Sequence, residues 1–137
     1  MRRPLSVDEE LARWTLAGAP ELQVMRSALQ QAVMDQPSAA DREDLAERLT
    51  IVATELAGNA LRHGHPPTVV TLQRADGHLI VAVLDNDPGT APVVDDHRAP
   101  GEGGLGLMLA ERLAQDVGWY PTDTGKRVWA QFALAGH

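Results

Sequence analysis

The stretch Thr68-Val69-Val70-Thr71-Leu72-Gln73-Arg74-Ala75-Asp76-Gly77-His78-Leu79-Ile80-Val81-Ala82-Val83-Leu84 decides the fold of this chain. Asp-Gly accepts the positive φ angles that a two-residue hairpin turn demands, so Asp76-Gly77 predicts a hairpin of two strands, Thr68–Arg74 and His78–Leu84. From Leu79 to Leu84 every residue is apolar. A strand of that kind is buried on both faces and belongs in the middle of a sheet.

Working outward, helices flank the hairpin. On its N-terminal side Leu45, Leu49, Val52, Leu56 and Ala60 recur at steps of four, three, four and four, which marks one apolar helix face. Asp41 is the N-cap candidate for this helix, and His63-Gly64 followed by Pro66-Pro67 ends it. Leu22, Met25, Leu29 and Ala32 give an earlier amphipathic helix, and Leu11–Ala17 an N-terminal strand. Beyond the hairpin, Asp85 to Gly101 reads as an irregular loop, Leu105 to Val117 as a third helix, and Arg127 to Leu134 as a last strand with Val128, Ala130, Phe132 and Leu134 on one face. The order predicts a two-layer α/β sandwich: a mixed, mainly antiparallel sheet covered by helices on one face. Residues 1–10 read as a polar tail and 11–137 as one domain.

The bulk properties agree. A chain of 137 residues, 44% hydrophobic and 23% charged, has the size and composition of one globular domain. A net charge of −7 argues against nucleic acid or an anionic membrane as direct partner and leaves room for a protein with a basic face. Without cysteine there are no disulfides and no thiolate metal sites. No apolar run reaches the roughly 20 residues of a membrane helix, and none follows Met1-Arg2-Arg3-Pro4, so a cytoplasmic location is expected. Eleven arginines against a single lysine, Lys126, point to a GC-rich genome.

Three pieces carry chemistry. Glu55, Asn59 and His63 form a polar stripe at steps of four. An exposed helix face would look the same, but the Asn59 amide oxygen also suits magnesium, which takes few protein ligands, and Glu55 one turn earlier suits deprotonation of a hydroxyl. Asp85 follows the buried strand and precedes Asn86-Asp87-Pro88-Gly89. Those residues make a turn, and equally a carboxylate for an exocyclic amine with a glycine that lets the backbone approach a flat base. Third, Gly101-Glu102-Gly103-Gly104-Leu105-Gly106-Leu107 opens a helix, where free N–H groups favour phosphate. Its spacing satisfies the dinucleotide fingerprint, yet a loop and not a strand precedes it. No Gly-Lys-Ser/Thr follows, which removes the P-loop, and the companion motifs of a protein kinase are missing. His63, His65 and His78 have no carboxylate at ligand spacing and read as surface residues. Trp14, Trp119 and Trp129 read as core or interface fillers.

In order, Glu55-Leu-Ala-Gly-Asn59-Ala-Leu-Arg-His63-Gly64, Asp85-Asn-Asp-Pro-Gly89 and Gly103-Gly-Leu-Gly106-Leu resemble the ATP site of the GHKL superfamily, and within it the anti-sigma-factor serine/threonine kinases of GC-rich bacteria. The resemblance runs from about Leu11 to Leu134. It implies ATP and Mg2+ as cofactors, with Asn59 on the metal, Glu55 as general base and Asp85 on the adenine amino group above Gly89. It further implies a lid over residues 90–102, phosphates held by Gly103, Gly104, Leu105, Gly106 and Leu107, and Arg62 and His63 beside them. A sigma factor, or the antagonist protein that releases it, would be the partner, with homodimers usual in the family. One departure is Asp87, which stands where the superfamily's adenine loop has a glycine. Another is Gly58, which costs a helix about 1 kcal/mol relative to alanine and implies close packing there.

Overall fold

The computed structural model describes residues 9–36, 41–63, 67–85 and 105–134, with the backbone course alone for His63 and residues 105–108. The elements are β1 (Glu9–Leu16), α1 (Ala19–Met34), α2 (Arg42–His63), β2 (Thr68–Ala75), β3 (His78–Asp85), α3 (Leu105–Leu113), β4 (Asp116–Pro121) and β5 (Lys126–Ala133). The strands lie in the order β1-β2-β3-β5-β4. Every pairing among them is antiparallel, so the expected mixed sheet has no parallel pair among the described strands.

β3 takes the central position that its apolar run requires. Leu79, Val81 and Val83 pack with the helices, while Ile80 and Ala82 pack on the other face against Ala75 and Trp129. The turn that joins β3 to β2 has positive φ at both central residues, 46° at Asp76 and 74° at Gly77. That is the hairpin turn whose twist matches the strands. Register then follows residue by residue from Ala75↔His78 to Val69↔Leu84.

The two long helices start differently: the N-cap of α1, Gly18, has no side-chain cap, while α2 has one. At α1, Glu21 reaches back to accept the Ala17 N–H at 3.0 Å, and Pro20 sits in the first turn. At α2, Asp41 acts as the N-cap: its carbonyl accepts the Leu45 N–H at 2.9 Å and its Oδ1 the Asp44 N–H at 3.4 Å. Leu45, Leu49, Val52, Leu56 and Ala60 are all buried, as their spacing requires, and join Met25, Leu29 and Val33 of α1 above the sheet. α2 is therefore the central helix, packed on α1, α3 and β3. Arg48 of α2 donates to the Leu113 carbonyl at 3.0 Å and satisfies an acceptor at the end of α3. No helix among the described residues is long and apolar enough to cross a membrane.

Three expectations need correction. The third helix stops at Leu113, and Asp116-Val117 opens a strand, β4, that the sequence reading missed. β4 is held by pairing with β5, from Asp116↔Gln131 to Pro121↔Lys126. β1 begins at Glu9, inside the stretch taken as a tail. Gly58 is not closely packed either, because a Cβ there would meet only the Arg62 guanidinium, at 3.5 Å. The tight glycine is Gly118, over which the Trp129 indole lies: a Cβ would stand 2.6 Å from its Cζ2 and 2.8 Å from its Cε2.

These two glycines should respond in opposite directions. Gly118→Ala forces Trp129 to shift and is expected to cost about 1–3 kcal/mol, whereas Gly58→Ala is expected to gain about 0.5–1 kcal/mol in helix propensity. Thermal or urea unfolding of the two variants beside the parent checks the pair. Equal effects of one sign would contradict the packing described.

Candidate functional site

The pieces separated in the sequence converge at one end of the sheet. Val69 pairs with Leu84, so Thr68 at the start of β2 and Asp85 at the finish of β3 share that end. Only residues 64–67 link α2 to β2, too few to run the length of an eight-residue strand, so the last turns of α2 lie there as well. α3 packs on α2 with its C-terminal carbonyl near Arg48, in the first half of α2. Its N-terminus is thereby directed along α2 toward the same end.

Asp85 is 3% exposed and points to the helix side, in step with Leu79, Val81 and Val83. Its Cα partner across the sheet is Lys126. The Lys126 ammonium stands 3.3 Å from Asp85 Oδ2, and both side chains are almost wholly removed from solvent. A buried carboxylate is tolerable only with such a partner. Lys126 is a residue the sequence reading passed over. The signal was present: Val128, Ala130 and Phe132 occupy the inner face, and two residues back along the strand is Lys126.

Asn59 is half-buried on α2, and its Oδ1 is buried with no hydrogen-bond partner among the described residues. Thr68, fully buried, likewise has an unpartnered Oγ1. Thr50 Oγ1 and Gln73 Oε1, away from this end of the sheet, are buried without a partner among the described residues too, and such oxygens are open to a water, an ion or a ligand. The Asn59 oxygen is also the donor type a hard cation prefers, so this residue fits magnesium. Glu55, one turn before Asn59, is half-buried and lines an open groove of about 420 Å³ with Arg26, Gln30, Glu47, Thr50, Ile51 and Thr54. Arg62 is exposed, its guanidinium lying back over Gly58.

β2, β3 and β5 bring Thr68, Asp85 and Lys126 to one end of the sheet, and Asn59 lies in the last turns of α2, one turn beyond Glu55. Leu105, Gly106 and Leu107 form the first turn of α3 by their backbone. Their side chains and that of His63 lie outside the described residues, as do Gly89, Gly103, Gly104, the expected lid over residues 90–102 and the Gly64 cap. Chemically, the described edge offers a carboxylate beside an ammonium at the end of the sheet, and an amide oxygen and second carboxylate on the helix above. That is a set of hydrogen-bond donors and acceptors for a polar ligand.

Residues 17–132 match the family model described as histidine kinase-like ATPase domain. A signal transduction histidine-protein kinase, AfsQ2 of Streptomyces coelicolor, is 39% identical over a segment that takes in 46% of this chain and 14% of that kinase. The chain therefore matches a small part of that relative's length. Among solved structures, the histidine kinase domain of a blue-light activated histidine kinase from Erythrobacter litoralis superposes with a TM-score of 0.52 at 24% identity, over 86% of this chain and 66% of that one. This likeness is one of fold.

The ion pair makes a testable statement about stability. Asp85→Ala leaves the Lys126 ammonium buried without its carboxylate and is expected to cost about 3–5 kcal/mol. The double variant Asp85→Leu/Lys126→Met, apolar at both positions, is expected to recover most of that loss. Denaturant titration of the two variants measures this, and a double variant no more stable than the single one would show that the pair is not an isolated buried couple.

Proposed function

The chain belongs to the histidine kinase-like ATPase domain family, and from that premise we propose that it binds ATP with magnesium and acts as a serine/threonine protein kinase on an antagonist protein, within an anti-sigma-factor-like regulator. The observation that carries the reading is Asn59: a buried amide oxygen without a partner among the described residues, one turn from Glu55 and in the last turns of α2.

Asp85 would accept a hydrogen bond from the adenine amino group, which places the phosphates toward α2 and the N-terminus of α3, where backbone N–H groups favour anions. Asn59 would hold the magnesium, whose contribution is to neutralise charge on the phosphates. Glu55, half-buried one turn before Asn59, would take the proton of an attacking hydroxyl. Phosphoryl transfer asks mainly for positioning and charge neutralisation, which these few residues supply. The net charge of −7 suits a partner with a basic surface, as a sigma factor would offer to a sequestering protein.

The named relatives are histidine kinases, so the nature of the acceptor is what experiment must decide. The chain is incubated with magnesium, ATP labelled at the γ-phosphate and candidate antagonist proteins. Label that survives acid is expected on the antagonist, since phosphoserine and phosphothreonine resist acid while phosphohistidine does not. Glu55→Gln is expected to lower the rate by about 10²-fold or more and to keep the rise in melting temperature that ATP produces. Asn59→Ala is expected to weaken magnesium-dependent ATP binding about tenfold. Acid-labile label would overturn the serine/threonine assignment, and ATP binding without any transfer would favour a non-catalytic module that sequesters its partner.

A further inference from the structure

Asp85 alone would suffice to meet an exocyclic amine, and a buried ion pair is weak evidence of stabilisation, because an apolar pair of similar size often does as well. The presence of Lys126 beside it needs another reason. Building on the nucleotide reading above, we infer that Lys126 is a second base-reading residue, donating to the ring nitrogen N1 of adenine while Asp85 accepts from the 6-amino group.

The geometry carries this. Asp85 Oδ2 and Lys126 Nζ stand 3.3 Å apart as an acceptor and a donor side by side. The outer edge of adenine presents the complement, an N–H donor beside a ring-nitrogen acceptor, to partners about 3 Å apart. An ammonium has three N–H donors, and among the described residues Asp85 is its one partner, which leaves donors for a ligand. Both side chains face the helix side at the end of the sheet, shielded from water, where a hydrogen bond to a charged donor counts for more than at the surface. Thr68, inward-facing at the start of β2, keeps an unpartnered buried hydroxyl at that same end. That is independent support for a polar ligand there. Lys126 is also the single lysine in a chain with eleven arginines. An ammonium is a compact donor that fits between a carboxylate and a ring nitrogen, where a planar guanidinium would not.

The test changes one atom of the ligand. ATP and 1-deaza-ATP, in which the N1 acceptor is a C–H, are titrated with magnesium into the parent chain and into Lys126→Met. The parent is expected to bind 1-deaza-ATP about tenfold or more weakly than ATP, the value of a hydrogen bond to a charged donor. Lys126→Met is expected to bind the two alike. Should Lys126→Met fail to fold because Asp85 loses its counter-charge, Asp85→Asn/Lys126→Met removes that charge and is expected to show the same lack of preference. Equal affinities in the parent, or a preference that persists without Lys126, would overturn the inference while leaving ATP binding in place. Binding of neither nucleotide by the folded parent would overturn the nucleotide reading and this inference together.

Discussion

From Leu79 to Val83, β3 has no side that faces water. Leu79, Ile80, Val81, Ala82 and Val83 are all buried, alternately against the helix layer and against Trp129 and Ala75 on the far face. A strand so constrained must have neighbours on both edges and cover on both sides. The hairpin turn supplies β2 on one edge, and β5 closes the other with eight residues in register from His78↔Ala133 to Asp85↔Lys126. The placement of β1, β4 and the helices follows from covering what remains. Its functional consequence is at the last residue: a strand that runs buried to its end delivers Asp85, a carboxylate, into an environment nearly as dry as the core.

That delivery sets the electrostatics of the site. Removing a carboxylate from water costs several kcal/mol unless charge and hydrogen bonds compensate, and β5 brings the ammonium of Lys126 to do so. On the helix side the logic is different. Asn59 has no partner for its oxygen among the described residues, and an oxygen left wholly unmet costs about 1–3 kcal/mol. The site therefore has a matched edge, where a purine ring would lie, and an unsatisfied one, where a cation and phosphates would. α2 joins the two, since the same helix that buries Leu49, Val52 and Leu56 in the core presents Glu55 and Asn59 at its margin.

Much of this was readable in the residues, for local reasons. Asp76-Gly77 has one favoured turn, Asp41 has a backbone N–H to cap three residues on, and the leucines of α2 have one face to bury. What stayed hidden depends on distant partners. Leu109, Leu113 and Val117 continue a helical spacing, yet the chain leaves the helix at Leu113 because Asp116–Pro121 pairs along β5 and Gly118 makes room for Trp129. Lys126 lay just outside the strand read as starting at Arg127, and lysine is rarely buried. Strand alternation places it inward, and the ion pair with Asp85 then makes its burial tolerable. Motif order gave Glu55, Asn59 and Asp85, whereas Lys126 and Thr68 required the register.

The central claim is that one nucleotide site lies at this end of the sheet. Titration of the isotope-labelled chain with magnesium and ATP, followed by amide and side-chain NMR shifts, tests it most directly. The account predicts that the largest changes fall on Asn59, Thr68, Asp85, Lys126 and the first turn of α3, with the far ends of β2 and β3 at Asp76-Gly77 unmoved. Changes concentrated instead on the groove where β1 meets α1, around Trp14, Pro20 and Val24, would contradict it.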